Sequence, residues 1–257
     1  MMKSLIVANW KMNPSSLVKA KALFNAIEKG VGEIKEDEIV ICPPYIYLAD
    51  ISRELEKNKN SKLKLGAQDC FWEKEGAFTG EISPSMLKDF GCKYVILGHS
   101  ERRKHLKEKN SMINKKLKLA LEEGLNCILC VGENEKEKRK GEIQKVINHQ
   151  LEKGLSKVPK SKVDNVIIAY EPVWAIGSGK SCKPVEAQVI NLIIRKILTR
   201  IYDRPTAQSI RVLYGGSVDR EKASTFLKET EMKGVLIGGA SLDSAEFVKI
   251  VKDVEAF

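Results

Sequence analysis

Histidine is nearly absent from this chain of 257 residues, which holds only His99, His105 and His149. Aromatic residues are also sparse, at 6%. They are not interleaved with basic residues in the way single-strand nucleic-acid binders require. The net charge of +10 therefore reads as a solvated surface, with lysines mixed among glutamates as in Lys136-Glu137-Lys138-Arg139-Lys140. No apolar run approaches the length of about 18 residues that a membrane helix needs. The opening segment, Met1 to Trp10, has too short an apolar stretch for a signal core. These absences lead to the expectation of a cytoplasmic protein with neither membrane nor nucleic acid as partner. Linkers and low-complexity tracts are missing too, so residues 1–257 are expected to form a single domain. Six scattered cysteines (Cys42, Cys70, Cys92, Cys127, Cys130 and Cys182) read as small buried hydrophobes and not as a disulfide framework. At 43% hydrophobic and 30% charged, a chain of this length can bury a large core without metals or disulfides.

Eight short, β-branched apolar runs recur along the chain: Leu5 to Ala8, Glu38 to Ile41, Lys62 to Leu65, Tyr94 to Leu97, Cys127 to Val131, Val166 to Ala169, Ile210 to Leu213 and Val235 to Ile237. Near-continuous hydrophobic strands belong to parallel sheets covered on both faces. Helical periodicity lies between them. Leu17, Ala20, Phe24, Ile27 and Val31 share one face, as do Val189, Ile190, Ile193, Ile194, Ile197 and Ile201. Leu117, Ala120 and Leu121 mark a third helix. Eight βα units with no break in composition predict an α/β fold, a closed (β/α)8 TIM barrel. An open doubly wound sheet is the alternative, and strand order cannot be read from sequence.

Barrel enzymes carry their chemistry where strands end. After the first run comes Asn9-Trp10-Lys11, which can point a lysine into the mouth. After the fourth comes His99, the one histidine that ends an apolar run; His105 and His149 lie among charged residues on expected helix surfaces. After the sixth comes Glu171, at the edge of an apolar interior where desolvation is expected to raise its pKa toward that of a useful base. The apolar, glycine-rich segment Pro172 to Lys180 follows and resembles a lid that excludes water. Gly215-Gly216-Ser217 and Gly238-Gly239 follow the last two runs. Paired glycines at a strand end, each before a helix pattern, let backbone N–H groups approach an anion closely. Two patterns mislead. Gly179-Lys180-Ser181 mimics the end of a P-loop, which would need glycine where Trp174 stands. Cys127 and Cys130 have metal-site spacing, but three residues along a strand they face opposite ways.

Taken in order, these residues resemble the triosephosphate isomerase family over nearly the whole chain. The carriers are Asn9-Trp10-Lys11-Met12-Asn13, Gly66-Ala67-Gln68, Gly76 to Glu81, Gly98 to Arg103, Tyr170 to Lys180, Tyr214 to Ser217 and Gly238 to Leu242. The resemblance implies interconversion of dihydroxyacetone phosphate and D-glyceraldehyde 3-phosphate through an enediolate, in glycolysis and gluconeogenesis. It assigns Glu171 as base, neutral His99 as electrophile, and Lys11 as the positive charge facing enediolate and phosphate. Asn9 would line the same pocket, and the backbone of Gly177, Ser217, Gly238 and Gly239 would hold the phosphate. Glu101 would orient its neighbours. No metal and no cofactor are implied. A homodimer is, with Thr79 of one subunit near the other's Lys11 and His99. Three positions depart from the pattern: Ser178 and Ser181 replace threonines, and Lys183 stands before Pro184 where a threonine is usual. A lysine ammonium cannot accept the hydrogen bond of a helix N-cap. A different phosphate-binding barrel, a non-catalytic anion-binding scaffold and a P-loop protein are the competing readings.

Overall fold

A strand that is apolar at every position has no face to offer water, so both faces must find cover. The computed structural model, which describes residues 3–177, 182–216 and 220–255, shows how that cover is provided. In chain order the elements are β1 (Leu5–Asn9), α1 (Leu17–Gly30), β2 (Glu38–Cys42), α2 (Tyr45–Lys57), β3 (Leu63–Ala67), α3 (Pro84–Asp89), β4 (Tyr94–Leu97), α4 (Ser100–His105), α5 (Asn110–Glu122), β5 (Asn126–Val131), α6 (Glu135–Arg139), α7 (Ile143–Gly154), β6 (Val166–Tyr170), α8 (Pro184–Ile201), α9 (Arg204–Ser209), β7 (Arg211–Tyr214), α10 (Arg220–Glu229), β8 (Gly234–Ile237) and α11 (Ser244–Glu255). Short 3₁₀ turns occur at Lys160–Asn165 and Gly239–Leu242. The strands pair in parallel in sequence order, and Leu5 faces both Glu38 of β2 and Gly234 of β8, closing the barrel. The doubly wound alternative is thereby excluded.

The strand period of two divides the apolar residues between two separate cores. Leu5, Val7, Val40, Ile96, Ile128 and Ile167 fill the barrel, whereas Ile6, Ala8, Ile39, Val95, Leu129 and Ile168 face the helices. Cys130 belongs to the inner core and Cys127 to the outer, so the two thiols do face apart. All six cysteines are free and buried.

Two helical faces need correction. Val189 is 50% exposed and Leu17 is 37% exposed, although the sequence pattern placed both on buried faces. At about 100° per residue, Val189 lies roughly 140° around the axis from Ile194, the centre of the face that buries Ile190, Ile197 and Leu198. Leu17 opens α1, ahead of the turn that buries Ala20, Phe24 and Ile27.

The amino ends of the strands carry an ionic plug. Glu38 accepts hydrogen bonds from Lys64 and Arg211. Burial pushes the Glu38 carboxyl up, but these two cations outweigh it and bring the group down to about 2. A second network lies beneath the mouth. Lys116, on the buried face of α5, donates to Asp69 (2.6 Å) and Glu108, and Arg102 joins the same carboxylates at 2.8 and 2.7 Å. Burial raises Asp69 to about 6 even beside Lys116. Glu108 lies below the ordinary glutamate range, because Lys116 and Arg102 overcome its burial.

Candidate active site

The carboxyl ends of the strands surround a cavity of about 320 Å³ lined by Asn9, Lys11, His99, Glu171, Gly177 and both glycine pairs, Gly215-Gly216 and Gly238-Gly239. Asn9 ends β1, His99 stands two residues past β4, and Glu171 directly follows β6. The sequence-predicted residues within the described chain therefore share one cavity. Ser217 lies outside the described residues, as do Ser178, Gly179, Lys180 and Ser181.

Lys11 is held in a left-handed backbone conformation, φ 53°. For a residue with a Cβ that conformation costs roughly 1–2 kcal/mol, so its surroundings must impose it. The Lys11 N–H donates to Asn9 Oδ1 at 3.0 Å, and its carbonyl accepts from Gln68 Nε2 at 2.8 Å. The Nζ donates to Glu101 Oε1 at 2.6 Å.

His99 and Glu171 are only 6% and 2% exposed. His99 caps α4: its Nδ1 accepts from the Glu101 N–H at 3.3 Å, which leaves the ring proton on Nε2. That Nε2 lies 3.0 Å from Glu171 Oε1 without hydrogen-bond alignment, so Oε1 has no hydrogen-bond partner. The other carboxylate oxygen, Oε2, accepts from the Ser100 N–H at 2.9 Å.

The direction of the Glu171 shift is opposite to the one expected from the sequence. Burial does push the carboxyl up, but the His99 imidazole, the Ser100 N–H and Lys11 together hold it below the ordinary range. His99 shows the mirror image: burial pulls it down, and the carboxylates of Glu171 and Glu101 raise it overall. The sequence suggested the desolvation but not the partner 3.0 Å away.

Gly238 and Gly239 lead into the Gly239–Leu242 turn. A Cβ on Gly238 would stand 3.0 Å from Lys11 Cε, whereas one on Gly239 would meet no atom within 4 Å. Backbone N–H groups at this turn thus border open space beside a lysine, which suits a small anion.

Glu133 is a buried carboxylate behind the segment after β6, outside the cavity lining, that the sequence did not disclose. It is fully buried after β5 and accepts from Trp174 Nε1 at 2.7 Å and from the Tyr170 hydroxyl at 3.2 Å. Burial pushes its carboxyl above the ordinary range despite these donors. Lys138 Nζ sits 3.3 Å from the centroid of the Trp174 ring, a cation–π contact. The segment that follows β6 is therefore anchored at Trp174 by a buried carboxylate. At its far side, Lys183 donates its N–H to Glu186 Oε2 at 3.2 Å. The reciprocal bond of a capping box is missing, since the Lys183 side chain has only donors. Among the described residues, no three His, Cys, Asp or Glu side chains are grouped to hold a metal, and no helix is long and apolar enough to cross a membrane.

Comparison with known proteins identifies the family. The family model described as triosephosphate isomerase matches residues 4–254. The chain is similar to the triosephosphate isomerase of Dictyoglomus turgidum, at 48% identity over 98% of this chain and 100% of the relative. It is also similar to that of Chloroflexus aurantiacus, at 40% identity over 96% and 97%.

Proposed function

The chain belongs to the triosephosphate isomerase family and interconverts dihydroxyacetone phosphate and D-glyceraldehyde 3-phosphate; from that premise we propose how its own residues divide the work. Glu171 removes the proton from the carbon next to the carbonyl and returns it to the neighbouring carbon. His99, neutral, donates from Nε2 to the carbonyl oxygen and moves protons between the two oxygens of the enediolate. Lys11 supplies positive charge to the developing oxyanion and to the phosphate. Asn9 holds the backbone of Lys11 in place. The phosphate rests on the backbone of Gly177, Ser217, Gly238 and Gly239.

One observation carries this reading: Glu171 Oε1, buried and without a hydrogen-bond partner, faces His99 Nε2 across 3.0 Å at the edge of the cavity. A substrate seated between the two groups removes the attraction each exerts on the other. Burial then weighs more heavily on both, pushing the carboxyl toward a useful base against the Ser100 N–H and Lys11, and the imidazole toward its neutral form against Glu101. Glu101, already paired with Lys11, keeps that ammonium placed until substrate arrives. A closed lid excludes the water that would let the enediolate lose phosphate.

The reading extends to assembly. Exposed apolar side chains occur in the segments that follow β1, β2, β3 and β4: Met12, Ile46, Phe78 and Leu106. A second cavity of about 320 Å³ opens beside Lys11, His99 and Glu101. A homodimer covers these side chains and brings Thr79 of one subunit into that opening. Six buried free thiols suit a reducing cytoplasm.

Two measurements test these assignments. In a coupled assay with glyceraldehyde 3-phosphate, Glu171→Gln is expected to lose at least about a hundredfold in kcat; activity near wild type removes Glu171 from its role. Light scattering after gel filtration is expected to give twice the chain mass of 28.8 kDa, and a monomer at working concentration refutes the dimer.

A further inference from the structure

The ladder between β4 and β5 ends at Leu97 opposite Leu129. One residue further, Gly98 turns to φ 69° and the chain leaves the sheet for His99. On the other side Cys130 continues in register with Ala169 of β6. A single side chain spans the place where the next rung would be. Arg103, reaching back from α4, donates Nε to the Gly98 carbonyl at 2.7 Å and Nη2 to the Cys130 carbonyl at 3.1 Å. Its remaining arm, Nη1, donates to Asn110 Oδ1 at the start of α5, at 2.6 Å.

We propose that Arg103 is a positioning residue for the isomerisation: its guanidinium replaces the missing rung between β4 and β5 and so sets how far His99 stands from Glu171. The proposal rests on the roles given above to those two residues. The mechanical path is short. Gly98 is bonded directly to His99. Cys130 is followed by Val131, whose carbonyl accepts the Glu171 N–H at 2.8 Å. One planar fork thus grips the strand that delivers the electrophile and the strand that aligns the base.

Three features separate this arrangement from ordinary ionic packing. Among the described residues no carboxylate forms an ion pair with Arg103, so the guanidinium is not half of a salt bridge. Its partners are two carbonyls and an amide, on three different elements. A rigid fork serves all three at once, whereas the single ammonium of lysine does not. Gly98 leaves room for the fork: a Cβ there would stand 2.9 Å from Arg103 Nη2 and 2.8 Å from Ile113 Cδ1. The phosphate-side glycines, 238 and 239, follow β8 and are not gripped by Arg103, so the fork should govern reaction geometry and not substrate affinity.

Steady-state kinetics of Arg103→Lys tests this, with thermal unfolding to certify the fold. The expected result is a fall of about tenfold or more in kcat with KM held within about threefold. A shift of the His99 Nε2 signal in ¹⁵N NMR should accompany it. Asn110→Ala leaves the guanidinium in place but frees one arm. It should lower kcat in the same direction by less, and it decides the matter if Arg103→Lys does not fold. A folded Arg103→Lys with kcat within twofold of wild type overturns the proposal, as does an Asn110→Ala variant with unchanged kcat and an unmoved His99 signal. Glu171→Gln, assayed alongside, separates the two levels. If it stays active, the base assignment has failed and Arg103 falls with it; if it is inactive while the Arg103 and Asn110 variants are normal, only the positioning role has failed.

Discussion

Adding one methyl group at Gly132 should disable the enzyme without touching any catalytic side chain. Gly132 follows β5, and its backbone is clamped by Gln150, whose side chain accepts the Gly132 N–H at 2.7 Å and donates to its carbonyl at 3.0 Å. A Cβ at this position would lie 1.7 Å from the Glu171 carbonyl oxygen and 2.7 Å from its carbonyl carbon. Ordinary contact begins near 3.4 Å, so the two segments must part by about 1.7 Å. Both atoms belong to backbone, and no side chain can swing aside. If each segment yields half, Glu171 moves by nearly 1 Å. A misplacement of that size costs about a hundredfold in rate, or roughly 2.7 kcal/mol in the barrier. Overpacking should also lower stability by about 1–3 kcal/mol. Isomerisation kinetics and thermal unfolding of Gly132→Ala measure both effects. Gly239→Ala is the control, because a Cβ there meets nothing within 4 Å. It should leave stability unchanged and raise KM by narrowing the space for the anion. A Gly132→Ala enzyme with wild-type kcat and melting temperature would show that the backbone of the base is not held against Gly132 at all, and the steric reasoning would be wrong.

Lys183→Thr should stabilise the fold by about 1 kcal/mol by restoring the missing half of the capping box at α8; an unchanged denaturation midpoint counts against this. Lys116→Met leaves Asp69 and Glu108 with Arg102 as their one remaining cation in the network and should destabilise by about 3–5 kcal/mol. The double variant with Asp69→Asn should recover part of that loss, and strict additivity in chemical denaturation would refute the coupling. The stabilisation from Glu38 has a definite pH window. Its folded pKa of about 2 lies below the ordinary 4.5, so its contribution is complete above pH 4.5 and is lost as pH falls toward 2. Glu38→Gln should flatten the dependence of unfolding free energy on pH in that range, and an unaltered slope would exclude the ionic plug as its source.

Much of this architecture was legible because strands buried on both faces leave an unmistakable apolar signature. Their carboxyl ends were read short where the closing residues are polar or small. Asn9, Gly66-Ala67 and Tyr214 all belong to strands, and hydropathy alone gave no reason to extend the runs. The site residues were legible for a related reason: a polar group at the end of an apolar run has few places to point except the mouth. Glu133 escaped because it sits between Gly132 and the charged run Asn134 to Lys140, where a carboxylate looks solvated, and its burial depends on Trp174 and Tyr170 arriving from β6. Lys116 did carry a signal. It falls three residues after Ile113 and beside Leu117, on the face that α5 buries. Reading it would have required treating a lysine as part of an apolar stripe. Opposition between burial and pairing at Glu171 could not be read at all, since it depends on a distance across the barrel.

The ionic plug of Glu38, Lys64 and Arg211 closes the end of the barrel opposite the mouth. Strands of four to six residues separate the two ends, a span of roughly 13–20 Å. The molecule therefore has a keel and a deck. Whatever secures closure is stowed at one end, and whatever meets substrate is carried at the other. Loops on the deck can be rebuilt over generations, altering what is recognised, while the keel that keeps the vessel closed is left undisturbed.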